Sequence, residues 1–383
     1  MSRFSRTDTS ILGHWWWTID RWFLAALMVL VGLGLFLTMA ASPSVAEHLK
    51  LDSFYFVKRH AIFLIPVMGI LIGVSLLSLK DIRRLALLVY LFGLVALLAT
   101  LFMGVEIKGA RRWVSFAGFS LQPSEFIKPS LAVLVAWMLS EKKHDETFPG
   151  QLAALLLYGL VIGLLLLQPD MGMVILTTGV TFSQFFLAGL PLIWIMGATL
   201  TGILGLVGAY FTFSHVQGRV DRFLDPGSGD KFTDRYQVTQ SLEAFLNGGF
   251  WGRGPGEGTV KTHLPDAHAD FIFAVAGEEF GFVLCAFIIL LFGFVVLRAL
   301  YRIFSEESLF VVLSVSGLIL QFGLQALINM ASTVNLIPTK GMTLPFVSYG
   351  GSSMMALAFA MGMVMALTRK RLERVDAGAA HGF

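Results

Sequence analysis

Asp270 closes the run His263-Leu264-Pro265-Asp266-Ala267-His268-Ala269-Asp270 and is followed at once by Phe271-Ile272-Phe273. A carboxylate at the edge of an apolar segment loses part of its hydration, which raises its pKa and suits it to take a proton from a hydroxyl. Capping the following helix is the plainer alternative for such an aspartate. His263, Asp266, His268 and Asp270 also put four possible metal ligands within eight residues. Their spacing lacks the helical i, i+4 His pair and argues against structural zinc, whereas Mg²⁺ or Mn²⁺ shared with a phosphate suits it better. Glu278 and Glu279 follow in the same apolar run. At about 100° per residue on a continuous helix they cannot both share the face of Asp270. One of them is expected to hold an interhelical contact or a buried cation.

Basic residues form the second chemical theme. Lys108-Gly109-Ala110-Arg111-Arg112-Trp113 leads into Ser120-Leu121-Gln122-Pro123-Ser124-Glu125-Phe126-Ile127-Lys128. Glu125 and Lys128 stand at i, i+3 and can pair on one helix face. A charged pair at the start of a span is costly unless partnered, so it points to a site; an interfacial helix anchored by Trp113 is the alternative. In Gln168-Pro169-Asp170-Met171-Gly172, Asp170 is placed to cap the next helix or to line a cavity. Further on, Arg219, Arg222, Lys231 and Arg235 alternate with aspartates, then come Gln237, Gln240 and Ser241. The glycine-rich run 252–258 lacks the Lys-Ser/Thr of a phosphate-binding P-loop. Lys340 and the small polar residues of 345–353, Ser348 among them, complete the set; small residues there let backbones approach closely or leave room for a ligand.

The elements that position these groups follow from composition. Of 383 residues, 56% are in the AVILMFWYC set and 14% are charged, against about 25% charged in a soluble domain. That excludes a water-soluble enzyme, and 34 Phe exclude a disordered chain. One cysteine, Cys285, excludes internal disulfides and cysteine-cluster metal sites. The expected fold is an all-α integral membrane protein with about ten spans, near 22–42, 60–79, 85–105, 125–140, 151–168, 171–189, 191–213, 271–297, 309–330 and 351–368. The run 22–42 exceeds the roughly 7–15 apolar residues of a secretory signal and reads as the first span. Residues 1–21 then form an N-terminal segment, 22–368 the membrane domain with a long loop at 214–270, and 369–383 a basic tail. Lys and Arg divide evenly between the two faces; discounting the long loop puts both termini in the cytoplasm. The clusters gather on the other face, whose cations suit an anionic headgroup.

Together these stretches resemble the SEDS family of cell-wall proteins (shape, elongation, division, sporulation). The resemblance runs from the first span to Arg371 and is carried by KGARRW, QPSEF with Lys128, QPDMG, LPDAHADFIF followed by GEE, and PFVSYGGSS. Pro338-Thr339-Lys340-Gly341 resembles the division branch more than the elongation branch. The resemblance implies a peptidoglycan glycosyltransferase in the bacterial cytoplasmic membrane that polymerises lipid II for the division septum. The family's essential aspartate falls on Asp270, with Ala269 where threonine is common. Substrate contacts are expected from Lys108, Arg112, Gln122, Glu125, Lys128, Gln240, Lys340 and Ser348. Partners are expected to be lipid II, undecaprenyl-pyrophosphate-linked glycan, a class B penicillin-binding transpeptidase and other division proteins, with no nucleic acid. A lipid II flippase and a non-catalytic division scaffold are the rival readings. No internal repeat of the kind common in transporters is evident.

Overall fold

The computed structural model describes residues 10–107, 110–116, 119–212, 217–218, 221, 234–264, 266–338 and 341–370. A short helix, α1 (Ile11–Thr18), precedes α2 (Arg21–His48), α3 (Tyr55–Ser75) and α4 (Leu79–Met103). A small sheet follows: β1 (Val105–Ile107), β2 (Ala110–Phe116) and β3 (Phe119–Leu121). Then come α5 (Pro123–His144), α6 (Gly150–Leu167), α7 (Met171–Leu187), α8 (Leu192–Thr212), α9 (Asp234–Gly248), a 3-10 turn (Val260–His263), α10 (Ile272–Ile303), α11 (Leu309–Thr333) and α12 (Gly351–Leu367).

All ten expected spans correspond in order to helices. Six (α2, α3, α4, α6, α10 and α11) are long and apolar enough to cross a membrane by length and composition. The helices α7 and α12 are apolar but shorter. Large side chains on the outer helices face outward, among them Ile65, Phe92, Phe102 and Leu290, as lipid-facing residues must. Centrally, α12 is buried on every side from Ser352 to Leu367 except for the half-buried Met355. It packs on α3, α5 and α11, and α5 packs on α4 and α11. Backbones meet closely where α2 passes the segment before α12: a Cβ on Gly34 would lie 2.2 Å from the Phe346 carbonyl oxygen.

Two features depart from the sequence reading. The segment around Trp113 is an antiparallel sheet, β1–β2–β3, rather than an interfacial helix. Residues 111–115 alternate in side-chain direction, and a strand puts Arg112 and Trp113 on opposite faces. Second, α10 is broken at Gly281, whose φ of 70° and ψ of −168° are non-helical. The loop after α9 fills the break: Arg253 and Gly254 donate to the Glu278 and Glu279 carbonyls at 3.0 and 2.9 Å, and Phe282 donates to the Gly249 carbonyl at 3.0 Å. Backbone groups freed inside a membrane need such partners. A Cβ on Gly281 would lie 2.4 Å from the Gly252 nitrogen and the Phe250 oxygen. The segment 272–280 is therefore a half-helix clasped by the loop after α9, and Asp270 sits just before its first turn.

Candidate active site

Asp270 lies in a turn, half-buried, with α10 capped by Phe271 instead. Its carbonyl accepts from Asn329 Nδ2 of α11 at 2.9 Å, and the same nitrogen donates to the Met342 carbonyl at 2.6 Å. Gly341, at φ 59°, brings its backbone so close that a Cβ there would lie 3.4 Å from Asp270 Oδ2. Ser348 Oγ donates to the Ala269 carbonyl at 2.6 Å and accepts from the Leu344 amide at 2.8 Å. The Tyr349 amide donates to the His268 carbonyl at 2.9 Å. The two segments 266–271 and 341–349 thus form one frame around the carboxylate. Ser348 is buried within it and both its hydrogen bonds are internal.

Behind the frame lies a buried ion pair. Lys128 Nζ sits 3.1 Å from Glu125 Oε2, with side chains 1% and 6% exposed. Lys128 also donates to Gln325 Oε1 at 3.4 Å, and Gln325 Nε2 donates to the Thr343 carbonyl and hydroxyl at 3.1 and 3.3 Å. Thr343 Oγ1 and Ser353 Oγ are 2.7 Å apart. The sequence pairing of Glu125 with Lys128 is what α5 displays. Gln122 precedes α5 as its cap position but makes no side-chain capping bond.

Arg112, on β2, is the more exposed cation, with 24% of its side chain accessible. It donates to the Pro169 carbonyl at 2.7 Å and stands 3.5 Å from Asp170 Oδ2. Asp170 caps α7 through the Met173 amide at 3.4 Å, as expected, and also faces this cation. Gln168 is buried and bonds the Leu97 carbonyl and the Thr100 hydroxyl. Gln240, on α9, pairs at 3.3 Å with Glu243 on an exposed surface. Lys108 and Lys340 lie outside the described residues, as do Arg219, Arg222 and Lys231.

The glutamates after Asp270 are both buried. Glu278 accepts from the Thr259, Val260 and Lys261 amides at 2.7–2.9 Å, capping the 3-10 turn. Glu279 takes the Lys261 ammonium, the buried cation anticipated for one of the two. His268 stacks on Phe56 with centroids 4.2 Å apart. Desolvation pulls its pKa down to about 4, against a smaller opposing pull from Asp266. The ring lies in an aromatic cluster with Phe56 and Tyr349. Among the described residues, no three His, Cys, Asp or Glu side chains converge to hold a metal ion.

The residues that sequence reading missed lie on α11. Gln321, Gln325 and Asn329 are buried and recur at i, i+4 and i+8, one face of the helix. That amide stripe in an apolar run was the available signal.

Residues 20–373 match the FtsW, RodA and SpoVE family, described as cell cycle protein. The chain belongs to this family. A relative from Caulobacter vibrioides, named probable peptidoglycan glycosyltransferase FtsW, is 46% identical over 99% of this chain and 97% of its own. Another of the same name from Escherichia coli is 33% identical over 98% of this chain and 91% of its own. A solved structure described as structural coordination of polymerization and crosslinking by a peptidoglycan synthase complex superposes with a TM-score of 0.76 at 26% identity, covering 91% of this chain and 97% of that one. The rod shape determining protein RodA of Thermus thermophilus gives 0.66 at 26% identity, covering 92% and 97%. The FtsW, RodA and SpoVE match spans all ten long helices and every cluster described above.

Proposed function

We propose that this FtsW-like chain is a peptidoglycan glycosyltransferase that polymerises lipid II on the outer face of the cytoplasmic membrane during septal wall synthesis. The observation that carries the reading is Asp270, whose backbone is joined through Asn329 to the 341–349 segment and through α11 to the buried Lys128. The relatives' names supply the reaction class.

In the proposed step, Asp270 accepts the proton of the acceptor sugar's 4-hydroxyl as that oxygen bonds to the anomeric carbon of the lipid-linked chain. The bond from that carbon to the pyrophosphate oxygen breaks, and undecaprenyl pyrophosphate leaves with the electron pair. Its growing negative charge needs fixed positive charge, often the largest catalytic contribution. Arg112 is exposed enough to hydrogen-bond a phosphate directly. Lys128, buried in low dielectric, acts through its field; Lys108 and Lys340 are the remaining cations of this role. A divalent cation, Mg²⁺ or Mn²⁺ shared with the pyrophosphate, would add to that positive charge. Polyprenyl tails fit the apolar flanks of the outer helices.

A class B penicillin-binding transpeptidase is the proposed partner, in keeping with the resemblance to a synthase complex. Both termini then lie in the cytoplasm, on the face opposite Asp270.

The test is glycan polymerisation from purified lipid II with the transpeptidase present. Wild type is expected to make polymer, and Asp270→Asn to lose at least about 100-fold in rate, as expected for a general base, while still binding its partner. Polymer at the wild-type rate from Asp270→Asn removes that role. Polymer from neither protein, beside an active control, favours the flippase reading.

A further inference from the structure

Lys128 lies on α5 and Asp270 in the turn before α10, yet a pyrophosphate leaving group requires them at a fixed separation. Two amides on α11 supply the connection. Gln325 and Asn329 are one turn apart, so their side chains leave the same face about 6 Å from each other. Both are buried, each 1% exposed.

Each amide is turned one way by its neighbours. Gln325 Nε2 faces two oxygens of Thr343, its carbonyl at 3.1 Å and its hydroxyl at 3.3 Å. This leaves Oε1 for the Lys128 ammonium. Asn329 Nδ2 faces two carbonyls, those of Asp270 and Met342. Its Oδ1 is buried without a partner, the kind of unmet group that persists where both N–H groups are needed elsewhere. Both amides therefore grip consecutive residues of one segment, Met342 and Thr343. One amide carries that segment to the acid and the other carries it to the cation. Buried amides bond more strongly than exposed ones, since the low local dielectric strengthens each bond.

We propose that Gln325 and Asn329 are positioning residues for glycan polymerisation: they tie the 341–343 segment to Lys128 and to Asp270, so that cation and base present themselves to the pyrophosphate and the hydroxyl as one unit. The inference rests on the glycosyltransferase reading and deepens it. Gln325 makes no substrate contact in this account; it acts through Lys128.

The experiment uses the full chain with its transpeptidase and undecaprenyl pyrophosphate in detergent micelles as the binding probe. Gln325→Met keeps the length of the side chain and removes both hydrogen-bonding ends. It is expected to weaken binding about 10-fold, as loss of one charge-assisted bond does. Lys128→Met is expected to weaken it at least as much. The double variant Gln325→Met/Lys128→Met should bind no worse than Lys128→Met, because the amide has nothing left to act through. Losses that multiply in the double variant overturn the inference, since a merely structural amide behaves that way. Wild-type binding by Gln325→Met overturns it as well.

Should Gln325→Met not fold, Thr343→Val keeps shape at a half-buried position and removes one of the two oxygens that orient the amide. A two- to threefold loss that vanishes in the Lys128→Met background supports the link. No loss, or the same loss in both backgrounds, refutes it. Failure of the wild type itself to bind the probe would remove the pyrophosphate role of Lys128, and this inference with it. Loss of binding in Gln325→Met beside intact wild-type binding leaves that role standing.

Discussion

At the scale of single residues, the chemistry depends on which polar atoms are spent on the frame and which are left for a substrate. Asp270 is half-buried, with its carbonyl tied to Asn329. Ser348 is fully committed to holding Ala269 and Leu344. The type and position of Asp270, Glu125, Lys128 and Arg112 were legible in sequence because charge is expensive in an apolar chain. Gln325 and Asn329 were not, because an amide in an apolar helix carries no charge to draw notice. His268 makes a separate prediction. Its ring is buried neutral with a pKa near 4, against 6.5 when exposed. The unfolded chain therefore binds a proton between those values that the folded chain refuses, and stability falls as pH drops from 6.5 toward 4. His268→Phe keeps a ring against Phe56 and should flatten that part of the thermal-midpoint-versus-pH curve, by up to about 3 kcal/mol of pH-dependent stability.

At the scale of elements, the decisive piece is the break in α10. Helix identity was plain from the run of apolar residues at 271–297, and the break was not, because glycine is common in membrane helices. Only the loop's register reveals it: Gly248 and Gly252 pass so near the half-helix that a Cβ on either would meet the Gly277 or Glu279 carbonyl oxygen at 1.9 or 2.2 Å. Gly281→Ala would both strain a positive φ and force the loop outward. That backbone region is essentially glycine's alone, and holding another residue in it costs about 1–3 kcal/mol, to which the steric overlap adds. A fall in thermal midpoint, together with slower polymerisation from a displaced Asp270, is the expected outcome. A variant with unchanged midpoint and rate would show that the clasp does not hold the half-helix. The sheet at 105–121 was missed for a related reason. Its strands are three, seven and three residues long, too short to show alternation against the charged and aromatic residues around Trp113.

Across the whole molecule, the spans were readable from composition, since long apolar runs admit few other structures. What joins their far ends was not. Asp20, capping α2, takes Arg298 at 2.7 Å and Arg302 at 2.5 Å, both from the last turns of α10. Burial alone would raise the Asp20 carboxyl, but the hydrogen bonds from Arg302 and Arg298 outweigh it and hold the carboxyl below its ordinary value. Arg298 lies 17 residues beyond the break at Gly281, which is about 25 Å of helix, with the half-helix 272–280 on the far side of the break. The helices α2 and α10 are therefore fastened at both ends, by this cluster and by the Lys261 ammonium reaching the Ala40 carbonyl at 3.1 Å.

The Lys261–Glu279 pair also bears on how the chain is made. Synthesis runs from the N-terminus, so Lys261 and the amides of 259–261 emerge before Glu278 and Glu279. An unpartnered acid in the middle of an inserting helix costs about 2.5–3.5 kcal/mol, enough to hold such a helix back from the lipid. Here each acid arrives with its neutralising group already synthesised, 17 to 19 residues ahead in the chain. Lys261→Met should therefore lower the yield of correctly inserted chain in the membrane more than the rate per inserted molecule. Counting inserted molecules by protease protection beside polymerisation per molecule separates the two, and a normal yield with slow turnover would move Lys261 from biogenesis to catalysis.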